Sequence, residues 1–278
     1  MKRLDILSSP PSFIDRFTEI RNSKRGAVRP RLTAAHASIA AQYASFEQAI
    51  LNNTLNLFRH DPALKSIKAE LRACYNGDTK SLARLKKQIK EIQAPRRMKF
   101  CPMCNTTLPL TYDHYLAADL FPELSVHGLN LVPCCSKCNS TKGDDWLSTA
   151  GSRQFLHVYS DPMPSVRFLE CDLHTRAGFL VPGATFRLAP PAGAIVNWPL
   201  IEAHFAKLDL ISRYDELSNN EISEILQTCR LYLDNGGSDV EGFLRALIVA
   251  KEADYGLNYW WAVLAEALLA DSGFSGWL

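Results

Sequence analysis

The sequence predicts an α+β protein, mainly helical, in which a small zinc-stapled segment separates a basic helical N-terminal part from a mixed, mostly helical C-terminal part. Three observations carry this: apolar residues at helical spacing up to residue 97, two C-x-x-C pairs between residues 101 and 138, and short Pro- and Gly-bounded runs followed by further helices. With 278 residues, 47% of them hydrophobic and 22% charged, the chain has a globular composition, which excludes extended disorder, collagen and a long coiled coil. The expected boundaries are 1–97, 98–150 and 151–278.

In the first part, Ile39, Tyr43, Phe46 and Ile50 recur at three- and four-residue steps, and Leu57 resumes the stripe after Thr54. Asp61-Pro62 reads as an N-cap followed by proline at the first helical position, and Leu64, Ile67 and Leu71 continue the apolar face. Asn76-Gly77 ends that helix and Asp78 starts another, with Leu82, Leu85, Ile89 and Ile92 on one side and Lys80, Arg84, Lys86, Lys87 and Lys90 over the rest. In the third part, Phe155–Tyr159, Val166–Cys171 and Phe179–Val181 read as short strands. Helices follow Pro190-Pro191, with capping boxes expected at Ser218–Glu221 and Ser238–Glu241 and a terminal apolar helix that buries Trp260-Trp261.

Charge is unevenly distributed. Residues 1–100 hold 20 Lys/Arg against 8 Asp/Glu, residues 101–150 hold 2 against 5, and residues 151–278 hold 9 against 16. A basic third on an otherwise acidic chain points to a polyanionic partner, with nucleic acid the usual one. Lys2 and Arg3 are followed by Asp5 and Ser8-Ser9-Pro10-Pro11 rather than by an apolar core, and the longest apolar run, Tyr259–Ala270, contains Glu266. The expectation is therefore a cytoplasmic protein with no membrane association.

Cys101, Cys104, Cys135 and Cys138 form two C-x-x-C pairs, the spacing of a tetrahedral structural zinc site. Cys134 lacks the right spacing to Cys138, Cys74 and Cys229 lie on apolar helix stripes, and Cys171-x-x-His174 has no second pair nearby. Between the pairs stand Asp113-His114 and then Asn130-Leu131-Val132-Pro133, with Cys135-Ser136-Lys137-Cys138-Asn139-Ser140-Thr141-Lys142 closing the motif. Phosphodiester hydrolysis needs a base to deprotonate water and a cation to neutralise charge. An imidazole such as His114 titrates near neutrality, and a carboxylate or amide oxygen, as on Asp113 and Asn139, suits a hard divalent cation.

Over residues 98–146 this order and spacing resembles the HNH endonuclease family, in the subset whose ββα-metal core is pinned by a structural Zn²⁺. The resemblance implies that Asp113 and Asn139 hold a catalytic Mg²⁺ or Mn²⁺ and that His114 activates water. It implies that Asn130 orients the loop carrying His114, and that Lys142 meets a phosphate. Asn139 at the third motif position makes this the His-Asn-Asn variant. Ala117-Ala118 stand where the family commonly has Pro and Lys, which predicts a looser loop after the base and one phosphate contact fewer. His127, the nearest spare histidine, is expected in a surface loop within reach of DNA, while His36, His60, His157, His174 and His204 are expected in structural or surface positions.

The expected function is hydrolysis of DNA to 5′-phosphate and 3′-hydroxyl ends, as the nuclease effector of a bacterial anti-phage or mobile-element system. Such a system implies an ATPase partner that gates cleavage, with the acidic C-terminal helices as its contact surface. The alternatives are a zinc-dependent nucleic-acid-binding subunit without catalysis and an effector that cuts RNA.

Overall fold

The computed structural model describes residues 2–77, 79–191, 193 and 197–278. The chain divides into two compact units, one spanning Arg3–Pro162 and the other Met163–Leu278 with Met1–Lys2. The protein is mainly helical, and its described residues form two small two-stranded antiparallel sheets, one in each unit. No helix among them is long and apolar enough to cross a membrane.

The first unit opens with α1 (Phe13–Asn22), whose N-terminus is closed by a reciprocal box. Ser12 Oγ accepts from Asp15 N, and the Asp15 carboxylate accepts from Ser12 N at 2.9 Å. Helices α2 (Val28–Ala34) and α3 (His36–Leu51) follow, and α3 buries Ile39, Tyr43, Phe46 and Ile50, the stripe expected from their spacing. Asn53, with φ of 55°, ends the run that Thr54 interrupts. Asp61 caps a 3-10 segment, Pro62–Ile67, by accepting from Ala63 N, and α4 (Lys68–Tyr75) continues from it with Leu71 and Cys74 inside.

Helix α5 (Lys80–Glu91) buries Leu82, Leu85 and Ile89, while Ile92 lies past its end and is 39% exposed. Asp78, expected to start this helix, lies outside the described residues; Thr79 caps it by accepting from Leu82 N. Strands β1 (Thr111–His114) and β2 (Leu131–Cys134) pair antiparallel, with Asp113 opposite Val132 and His114 opposite Leu131, and α6 (Ser136–Lys142) follows directly. A four-residue ladder is marginal alone, so its anchorage must come from its surroundings.

Part of that anchorage is the segment 155–159. It is buried throughout but irregular, which corrects the strand expected there. Its backbone groups go to side chains and distant chain instead of a ladder. Asp161 accepts from His157 N, Tyr115 donates to Phe155 O, and Leu4 N donates to Val158 O.

In the second unit β3 (Leu169–His174) and β4 (Gly183–Leu188) form a hairpin, and α7 (Trp198–Lys207), α8 (Leu210–Asp234), α9 (Val240–Tyr255) and α10 (Trp260–Ala270) follow. Helix α8 packs on β4, and α10 packs on β3, α8 and α9. Phe179–Val181, expected as a strand, lies in the turn of the hairpin, and the strand expected from Val166 begins at Leu169. Ser218 does not cap a helix. It lies inside α8, fully buried, and donates to Asp215 O at 2.7 Å, because the apolar stripe of α8 runs continuously from Leu210. At α9 the capping side chain is Asp239, which accepts from Gly242 N, rather than Ser238. Trp260 is buried, stacked on Tyr214 with ring centroids 5.8 Å apart, whereas Trp261 is half-buried.

Candidate metal centre and adjoining cleft

The two C-x-x-C turns bring four buried cysteines together. In the first turn Cys101 O accepts from Cys104 N and Asn105 N, Cys101 N donates to Thr107 O, and Asn105 takes a left-handed φ of 55° to close the knuckle. In the second, Cys135 is the N-cap of α6 and its Sγ accepts from Cys138 N at 3.4 Å. The sulfurs of Cys101, Cys104, Cys135 and Cys138 all lie within 4.8 Å of one another, and Cys104 and Cys135 are 3.8 Å apart. Tetrahedral zinc with Zn–S bonds of about 2.3 Å requires sulfurs about 3.8 Å apart. The donor set and spacing therefore fit zinc. Cys134 lies outside the cluster, with its thiol 3.4 Å from Thr111 Oγ1 and pushed up to about 12 by burial.

Beside this centre, Asp113, His114 and Asn139 line one cleft of about 210 Å³, together with Arg72, Ala117, Ala118 and Asp144. His114 is the last residue of β1, where the ladder stops and strict strand alternation ceases to separate it from Asp113. Its Nε2 lies 2.9 Å from Ser125 O. A carbonyl only accepts, so Nε2 carries the proton and Nδ1 keeps its lone pair. The imidazole packs edge-on against Tyr75 at 4.4 Å. Burial pushes His114 down to about 4, helped by the nearby Arg72, Lys142 and Lys86 cations and opposed by the Ser125 carbonyl, so the ring is neutral at pH 7.

Asp113 is buried, and burial raises its carboxyl above the usual range while Lys142 pulls it back. Its Oδ2 makes no hydrogen bond, although the Lys142 ammonium is 3.1 Å away. Asn139 Nδ2 donates to Thr111 Oγ1 at 3.4 Å, which leaves its Oδ1 as the available donor to a cation. Asn130 is wholly buried and spends its entire side chain on backbone. Oδ1 accepts from Leu116 N at 2.7 Å, and Nδ2 donates to Leu116 O and Leu124 O. With Asn130 O accepting from Tyr115 N, it clamps the loop that leaves His114.

Two expected nucleic-acid contacts are corrected by burial. Lys142 is 1% exposed, and its ammonium donates to His114 O at 2.8 Å and to Asp113 Oδ1 at 3.3 Å, so it braces the cleft from beneath. An amphipathic lysine can turn inward when a carboxylate and a carbonyl receive it. His127, expected on a surface loop, is fully buried among Phe13, Tyr43 and Phe46, with centroids 4.5, 4.5 and 4.9 Å away. Its Nδ1 accepts from Leu129 N, so Nε2 donates to Glu47. Sequence spacing gave no sign that Arg72 lines this cleft or that Ser125 and Tyr75 hold the His114 ring, since they come from separate stretches of chain. His157 is also wholly buried, between Ser160 and Leu129 O.

No family model matches the chain, and no solved structure matches it. The chain is similar to Protein ea31 of Escherichia phage lambda, at 29% identity over 133 residues, which is 45% of this chain and 43% of that protein. It thus spans less than half the length of this curated relative.

Proposed function

We propose that this chain is a metal-dependent endonuclease of the HNH type that hydrolyses DNA phosphodiester bonds. The observation that carries the reading is the meeting of Asp113, His114 and Asn139 in a single cleft, with His114 held so that Nδ1 is its basic nitrogen. The buried Oδ2 of Asp113, without a hydrogen bond, and the amide oxygen of Asn139 form a hard-oxygen pair that fits Mg²⁺ or Mn²⁺. When bound, such a cation neutralises charge on the phosphate and the leaving oxygen.

The chain's own residues do the rest. Neutral His114 takes a proton from water on Nδ1 while Ser125 O holds the opposite nitrogen, so the ring orientation is set before substrate arrives. The water oxygen bonds to phosphorus as the bond to the 3′ oxygen breaks, and the departing 3′ alkoxide takes a proton from a solvent water, leaving a 5′-phosphate and a 3′-hydroxyl. Lys142 holds Asp113 and the His114 carbonyl in place, and Asn130 clamps the following loop. Likeness to a phage protein supports a mobile-element or anti-phage setting, in which an ATPase partner would gate the cut.

One observation favours a second reading, a zinc-dependent nucleic-acid-binding subunit without catalysis: the Asp113 carboxylate already faces an ammonium ion. The decisive experiment offers supercoiled plasmid and, in parallel, RNA to the zinc-loaded protein with Mg²⁺ or Mn²⁺, beside His114→Ala. Nicking or linearisation by the wild type, lost by at least 100-fold in the variant with equal zinc content, supports the nuclease. DNA binding without cleavage under every cation supports the binding subunit, and cleavage confined to RNA would replace the DNA assignment.

A further inference from the structure

Beside the cleft, the His114 ring is the first of a row of side chains. Tyr75 lies against the imidazole at 4.4 Å, and the Lys86 ammonium sits over the Tyr75 ring at 4.1 Å. The same ammonium is 5.6 Å from the centre of Tyr112, over which Lys90 sits at 5.3 Å. Tyr112 in turn donates its hydroxyl to Lys86 O, which ties β1 to α5. Imidazole, ring, cation, ring and cation thus form one continuous strip, and all four residues beyond His114 are partly exposed.

Three features suit this strip to a phosphate chain. Lys86 and Lys90 are one helical turn apart, about 6 Å along α5, close to the step between successive phosphates of a strand. Their ammonium groups are held over aromatic faces, so little side-chain freedom is lost on binding. The Lys86 ammonium lies over the ring that packs on His114, which places positive charge near where negative charge develops during attack on phosphorus. Lys90 also donates to Pro109 O at 2.7 Å, which fixes its ammonium at the strip, while Arg84 and Lys87 on the same helix lie beside Glu19 and Glu91.

We propose that Tyr75, Lys86, Tyr112 and Lys90 form a track that receives the backbone phosphates of duplex DNA flanking the bond presented to His114. The proposal rests on the nuclease reading for its orientation, and on its own geometry for binding. Lys86 is the phosphate contact nearest the base, and Lys90 takes the next phosphate outward.

The test is binding of a labelled 20-base-pair duplex to zinc-loaded protein without Mg²⁺ or Mn²⁺, followed by anisotropy across a salt series. Lys86→Ala/Lys90→Ala should weaken binding at least tenfold and flatten the slope of log K against log salt by about 2, at roughly 0.9 per phosphate contact. Lys80→Ala/Lys87→Ala removes the same charge from α5 and should leave the slope unchanged, while Lys86→Arg/Lys90→Arg should restore binding. Equal zinc content and melting temperature among the variants exclude a folding defect. The track is overturned if the two alanine pairs behave alike, if RNA of the same sequence binds through these lysines and DNA does not, or if the wild type shows no salt-dependent DNA binding. Plasmid cleavage separates the two readings. Binding that depends on Lys86 and Lys90 without cleavage sinks the nuclease and keeps the track, whereas cleavage with binding indifferent to both lysines does the reverse.

Discussion

His114 shows what a single hydrogen bond decides. Donation from Nε2 to Ser125 O selects the tautomer, and burial keeps the ring neutral well below the ordinary histidine range. If His114 is the base, the acid limb of kcat/KM should fall near pH 4 to 5 rather than near 6.5. A pH–rate profile on a plasmid substrate checks this, and a midpoint near 6.5 would show that His114 is not titrating in this environment. Asn130 is the second residue whose role is narrow and testable. Its three hydrogen bonds all reach buried backbone, so Asn130→Ala strands one amide and two carbonyls and should destabilise the protein by about 2–4 kcal/mol. Urea unfolding gives the number, and a loss below 1 kcal/mol would mean that water replaces the side chain. The sequence placed Asp113, His114, Asn130 and Asn139 near one another by motif spacing, but Ser125, eleven residues beyond His114, leaves no local signature.

At the scale of elements, the ladder of β1 and β2 spans only four residues a side, and both knuckles of the cysteine cluster adjoin it. Metal binding is then folding free energy for this segment. Cys135→Ala should lose zinc, lower the melting temperature and expose Trp146, which is buried here. Metal analysis with tryptophan fluorescence reads all three, and an unchanged melt in zinc-free protein would show that packing alone holds β1 and β2. In the other unit Asn258 plays the part that Asn130 plays in the first. It accepts from Phe168 N and Leu169 N and donates to Val166 O, which fixes where β3 begins. Asn258→Ala should cost about 2–3 kcal/mol, measured by denaturant unfolding, with the effect confined to that unit. The strand expected from Val166 starts three residues later because this asparagine takes the preceding backbone groups for itself.

Across the whole molecule, buried imidazoles couple folding to pH. His114 and His157 are pushed down to about 4 and His127 is also lowered, each chiefly by burial. All three protonate near 6.5 when unfolded and lower when folded; for His114 and His157 the unfolded chain therefore binds more protons between about 4 and 6.5, and His127 acts in the same direction. Stability is therefore full above pH 7 and falls as pH drops through that window, by about 2 kcal/mol by pH 5 for each ring at 4. The raised carboxyls of Asp113 and Glu123 act in the opposite sense, so the slope is read most cleanly between pH 6.5 and 5.5. Urea midpoints at those pH values, with zinc quantified at each, should show the decline, and a flat midpoint would contradict it. The sequence by itself determined the helical stripes of α3 and α5, the cysteine quartet and the residue types, Asp113, His114 and Asn139, that meet in the cleft. Those properties reside in residue type and short-range spacing. Only the tertiary structure decided that Lys142 and His127 turn inward, that residues 155–159 are core without being a strand, and that Tyr75 packs on His114 with Lys86 over its ring. These outcomes depend on partners from distant stretches of chain, and burial or exposure of a polar group is settled by which of them arrives beside it.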